Sequence, residues 1–300
     1  MDEAVRRFNS INRPDGVILN IDADCTADRN YFIEISDKLL KKSDRNACSI
    51  YFEHPLSGIS DHENLINHIT LYELHLRYYF QGLAYSGFPY VFHTVGSAVA
   101  VKALPYVKAG GMNRKQAGED FYFIQKLVPA GGYFNLNTTT VHPSPRVSAR
   151  VPFGTGALMH KLSSEQGSTF LTYNVQAFKE LRTFFGLTEN FFKSDIMGMH
   201  DQFRMIPEGI KLFLDKEEWI EKMKEVKYNT SGFTSFQKRF FGWFNMFKIV
   251  KYLNFVHSDF FQKQPVEIAA CQLLDTLGIR FESQGPRELL IFFRSQEKTA

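Results

Sequence analysis

GVILNIDADC, residues 16–25, is the stretch on which the fold turns. Its run 17–21 reads as a short β-branched strand that should be buried. The run stops abruptly at Asp22-Ala23-Asp24. Side chains at the rim of a sheet lie where α/β proteins put their ligands. Two carboxylates there can meet a hard cation that prefers oxygen donors, and such a cation neutralises a diphosphate leaving group. The competing explanation of an isolated Asp-x-Asp is a turn or helix-capping cluster; placement directly after GVILNI favours the first.

Working outward, strands and helices alternate. Residues 1–8 read as the end of a helix, and Asp28 is placed to cap a helix over 28–42 with Tyr31, Phe32, Ile35, Leu39 and Leu40 at helical spacing. A strand over 47–52 and a long helix over 61–85 follow, then a strand over 91–101 interrupted at Gly96-Ser97 and a short helix over 104–109. A helix over 121–128 and a strand over 133–141 complete the sheet region. Further helices are expected over 171–185, 207–213, 216–226, 236–261 and 266–277, which divides the chain into a sheet domain, 1–160, and a helical region, 161–300.

Gly118-Glu119-Asp120 opens the helix at 121. Carboxylates in a first helical turn suit the helix dipole, which is the ordinary explanation of such a pair. At a sheet rim a carboxylate can also take the proton from a hydroxyl as it attacks. The co-occurrence of this pair with the first one favours chemistry.

ILNIDADC (18–25) and HTVGSAVAVKALPYVKAGGMNRKQAGEDFYFIQKL (93–127) together resemble the family 2 glycosyltransferases of the GT-A fold. The resemblance covers about residues 16–130. It implies an α/β fold with a GT-A, Rossmann-like mixed sheet flanked by helices and followed by a helical C-terminal region. It also implies that Asp22 and Asp24 bind Mn²⁺ or Mg²⁺ together with the diphosphate of a nucleotide-diphosphate sugar. Gly96 and Ser97 would line the acceptor side, and Asp120, with Glu119 beside it, would be the catalytic base. Some members take a metal ligand from a strand after the base, which here would be His142. The implied reaction is an inverting single displacement onto a hydroxyl of a glycan or lipid-linked acceptor, in cell-surface polysaccharide or glycoconjugate synthesis. Members normally begin with a strand like VSVIIPVYN and a helix-strand unit that holds the nucleotide; nothing before Val17 matches it, so the chain is expected to be truncated at its amino end.

In HPSPRVSARVPFGTG, residues 142–156, Arg146 and Arg150 are placed to clamp phosphate oxygens, and Gly154-Thr155-Gly156 to bring backbone N–H groups to an anion. Surface charge is the plain alternative. His54 and His93 lie near strand ends, where they can serve a sugar hydroxyl on the acceptor side or be purely structural. The absence of a QxxRW pattern points to transfer of single sugars. Between 236 and 261, aromatics at helical spacing mix with Lys238, Arg239, Lys248 and Lys251. That pattern fits either peripheral membrane contact or a helix pair packed on the sheet domain.

With 300 residues and 44% apolar content the chain can build a large core, which excludes a disordered protein. A net charge of +3 gives no field suited to nucleic acid, so no nucleic-acid partner is expected. Cys25, Cys48 and Cys271 lack metal or disulfide spacing and read as small buried hydrophobes in a reducing cytoplasm. The charged start MDEAVRRFNS lacks an apolar signal core, so the expected location is cytoplasmic, or peripheral at the inner face of the membrane. Two other functions stay open: a non-catalytic binding or structural module derived from a glycosyltransferase, and a nucleotidyltransferase. A Gly-rich phosphate loop with lysine is lacking for the second.

Overall fold

The computed structural model describes residues 1–57, 63–112, 118–145 and 169–299. The loop residues Arg146, Arg150 and Gly154-Thr155-Gly156, and the expected boundary at 160, fall outside them. The chain divides into two compact units, one of residues 1–77, 92–170 and 283–300, the other of 78–91 and 171–282.

The first unit is α/β. Its strands β1 (Val17–Asn20), β2 (Thr26–Ala27), β3 (Ala47–Phe52), β4 (Val99–Lys102) and β5 (Tyr133–His142) form one mixed sheet in the order β1-β4-β3-β5-β2. Only β3 and β5 run parallel; the other three pairings are antiparallel. All six residues of β3 are buried, because alternate side chains enter two different cores. Cys48, Ile50 and Phe52 meet Tyr31, Ile35 and Leu39 from α1 (Tyr31–Ile35) and the π-helical turn after it, Ser36–Leu40. Ala47 joins Val101, Ile18, Tyr106, Phe123 and Leu127 on the opposite face. Burying a side chain of this kind contributes about 1.5–3 kcal/mol.

Several local expectations change. Asp28 does not cap a helix; it accepts from the Thr140 N–H and meets His142, so it fastens β2 to β5. The strand expected over 91–101 begins only at Val99, since 96–98 form a 3₁₀ turn. The pairing of β3 with β5 skips from Ile50↔Leu136 to Tyr51↔Thr140, leaving residues 137–139 as a bulge.

A buried ion cluster lies within the first unit. Arg77 is fully buried: Nε and Nη2 donate to Glu73 at 2.9 and 2.7 Å, and Nη1 donates to Glu297 at 2.6 Å. Arg294 donates to both Glu73 oxygens, at 2.8 and 2.7 Å, and to the His54 carbonyl at 2.8 Å. Glu297 and Arg294 lie on the last helix, Pro286–Thr299, which sequence reading missed and which rejoins the sheet unit through these charges. Burial alone would raise the Glu73 carboxyl, but Arg77, His54 and Arg294 hold it well below the usual carboxylate range.

The second unit is helical apart from one short pair of strands, Leu171–Thr172 with Gln264–Pro265. The region 236–261 is two helices, Phe233–Trp243 and Met246–Asp259; the Asn245 side chain caps the second by accepting from the Lys248 N–H. Phe236, Phe240, Phe244, Ile249, Tyr252 and Leu253 are buried inside this unit, so most of the aromatic stripe serves internal packing. Among the described residues, no helix is long and apolar enough to cross a membrane.

Candidate active site

Strand β1 ends at Asn20, and the chain then reverses: the Cys25 N–H donates to the Asp22 carbonyl at 3.0 Å, closing a turn over DADC. The turn gathers Asp22, Asp24 and Cys25 so that one donor atom from each lies within 4.8 Å of the others. Two carboxylates and a thiol within this span form a donor set that fits a divalent cation, with the hard oxygens suiting Mn²⁺ or Mg²⁺.

Helix α2 (Glu119–Leu127) brings the second pair of carboxylates. Its cap, Gly118, sits at φ +76°, a left-handed conformation that glycine adopts at no steric cost and that aims the first helical turn. Burial pushes the Asp120 carboxyl up to about 6, and the charges of Glu119 and then Asp22 push in the same direction. Asp120 therefore feels Asp22 although the two are far apart in the chain. Glu119 presents a buried Oε2 without a hydrogen-bond partner among the described residues.

The 3₁₀ turn Gly96–Ala98 supplies the surface against which Asp120 lies. A Cβ built on Gly96 would stand 1.9 Å from Asp120 Oδ2, so the carboxylate occupies the space that a side chain would need. The Asn20 amide donates to the Gly96 carbonyl at 2.8 Å, tying this turn to the end of β1. Ser97 is buried beside the Cys25 thiol, whose pKa is raised by burial and further by Asp22 and Asp24. Gly96→Ala is expected to push Asp120 out of this space while the fold persists. NMR titration should then find the Asp120 carboxyl near the ordinary value of about 3.9, with far-UV circular dichroism unchanged; a titration that stays near 6 would show the carboxylate elsewhere.

The structure thus gathers Asp22, Asp24, Gly96, Ser97, Glu119 and Asp120 at one end of β1 and β4. It places two other candidates differently. His142 turns Nε2 to Asp28 at 3.1 Å and is not in the Asp22-Asp24-Cys25 group. His93 meets Glu297 at 2.8 Å and packs its ring edge-on against Phe52, within the buried ion cluster; His54 binds Glu73 there. Cys25 and Asn20 are additions that sequence reading did not place at the site, although Cys25 directly follows the Asp-Ala-Asp signal and Asn20 stands two residues before it.

Comparison with protein-family models, with curated proteins and with solved structures finds no significant match.

Proposed function

We propose that this chain carries the catalytic part of an inverting glycosyltransferase of the GT-A type, moving a sugar from a nucleotide-diphosphate sugar to a hydroxyl of a glycan or lipid-linked acceptor. The observation that carries this reading is the convergence of two sequence-distant carboxylate pairs: the Gly96 turn is tied to the end of β1 through Asn20 and is pressed against Asp120. Asp22 and Asp24, with Cys25 alongside, would hold Mn²⁺ or Mg²⁺. That ion would neutralise the departing diphosphate. Asp120 would accept the proton of the attacking hydroxyl; a carboxyl pushed to about 6 is a stronger base than an ordinary aspartate and is still mostly ionised at neutral pH. The Gly96-Ser97 turn, pressed against Asp120, would form the acceptor side.

The test begins with binding. Mn²⁺ followed by electron paramagnetic resonance should bind the parent chain, and Asp22→Asn combined with Asp24→Asn should weaken that binding at least about tenfold, since each ligand carboxylate contributes charge and an oxygen donor. Sugar-nucleotide hydrolysis should then depend on added Mn²⁺. Unchanged metal binding in the double variant would remove the proposed centre, and metal binding without any turnover would favour a non-catalytic module.

A further inference from the structure

The helical unit contains a cavity of about 590 Å³, within the range of small-ligand sites. Its apolar wall is formed by Phe185, Phe241 and Pro89. Around it stand the hydrogen-bonding side chains of Tyr90, Thr234 and Gln237 and the cations Arg182 and Lys238. Among the described residues, the cavity lining includes no Asp or Glu. Thr234 lies in the first turn of the eleven-residue helix Phe233–Trp243, where the backbone dipole favours negative charge, and Gln237 and Lys238 follow one turn further on. Arg182 spends Nη1 on the Tyr85 carbonyl, at 2.6 Å, and stacks over the Tyr85 ring, which fixes its guanidinium beside the opening. A concave site with two cations, an amide, hydroxyls and no acid among its described residues has the makings of a receptor for an anion carried on a hydroxylated ring.

We propose that this cavity is a second ligand site, for an anionic sugar unit. Lys238 and Arg182 face the anionic group, Gln237 and Thr234 the ring hydroxyls, and Phe185 and Phe241 the apolar face of the ring. The choice of a sugar over another ring rests on the glycosyltransferase reading; the preference for an anion rests on the cavity alone. A carboxylate and a phosphate share the required chemistry, and the experiment separates them.

Isothermal titration of the whole chain with glucuronate, glucose 1-phosphate, glucose and inorganic phosphate is the measurement. At least one anionic sugar should bind about tenfold or more tightly than both glucose and inorganic phosphate, and which one does names the anion. Lys238→Met, at an exposed position, should remove most of that preference, and Gln237→Leu should weaken the sugar itself. Glucose or free phosphate binding as tightly as the better of the two anionic sugars would overturn the proposal, as would no detectable binding of either anionic sugar, or unchanged affinity in Lys238→Met. These titrations are run without Mn²⁺, and none of the substituted residues belongs to the Asp22-Asp120 group. Failure here therefore leaves the catalytic reading standing, and failure of metal binding there leaves the anion preference to be judged by itself.

Discussion

Asp120→Asn is expected to lower sugar transfer by about 10² to 10⁴, the usual contribution of a positioned general base. The amide keeps the shape of the carboxyl and its place against Gly96, but it cannot take a proton. Mn²⁺ binding through Asp22 and Asp24 should persist, which separates loss of the base from loss of the metal. In the parent the rate should rise with pH as Asp120 ionises. For the metal-free chain that midpoint is about 6, and a cation beside Asp22 should draw it lower by favouring the charged form. The same shift fixes the sign of a stability effect. Folding raises this carboxyl from 3.8 to about 6, so its contribution to stability is complete below 3.8 and is lost as pH climbs through 6. Metal-free Asp120→Asn should accordingly gain thermal stability over the parent at pH 8. Full transfer activity in Asp120→Asn, measured with saturating Mn²⁺, would remove the base assignment.

Arg77→Met should destabilise the chain by about 3–5 kcal/mol, the cost of removing one partner from a buried ion cluster. Arg77 donates to Glu73, to Glu297 and to the Phe52 carbonyl, and all three lie in the interior. Without it Glu73 retains Arg294, and Glu297 retains its contact with the His93 ring nitrogen. A methionine fills much of the volume and supplies none of the charge. Urea unfolding at pH 7 should show an early loss of the sheet unit. Because Glu73 has a depressed pKa, its contribution is present above the unfolded value near 4.5 and fades as pH falls below it, so the gap between parent and variant should narrow in acid. An unfolding midpoint within experimental error of the parent would mean that the cluster adds nothing net, as buried ion pairs sometimes do.

What could be read from the sequence was local. The strand at 17–20, its Asp-Ala-Asp ending and the helix opened by Glu119-Asp120 are each set within a few residues, by β-branched composition and by a glycine in a left-handed cap. Their meeting point was legible only through the family resemblance. The rest depends on distant partners. Asp28 resembles a helix cap until a strand 112 residues away offers the Thr140 N–H. His93 looks available for a sugar until Glu297, 204 residues on, takes its ring nitrogen. Cys25 reads as a small hydrophobe, since nothing in its own composition reveals that the turn closed on Asp22 will point the thiol at two carboxylates. The last helix was missed because its position is fixed by Arg77, with no strong local signal at its start.

That last helix bears on how the protein is made. Arg77 and Glu297 are separated by 220 residues, which a ribosome adds in roughly 10–45 s at about 5–20 residues per second. Throughout that interval an arginine destined for a water-free interior has no Glu297 to meet, and the segment 171–282 is synthesised in full before Glu297 appears. The sheet unit thus closes only after the helical segment has been made, and its nascent sheet stays open to chaperones, or to early engagement by other chains, until residue 297 has emerged.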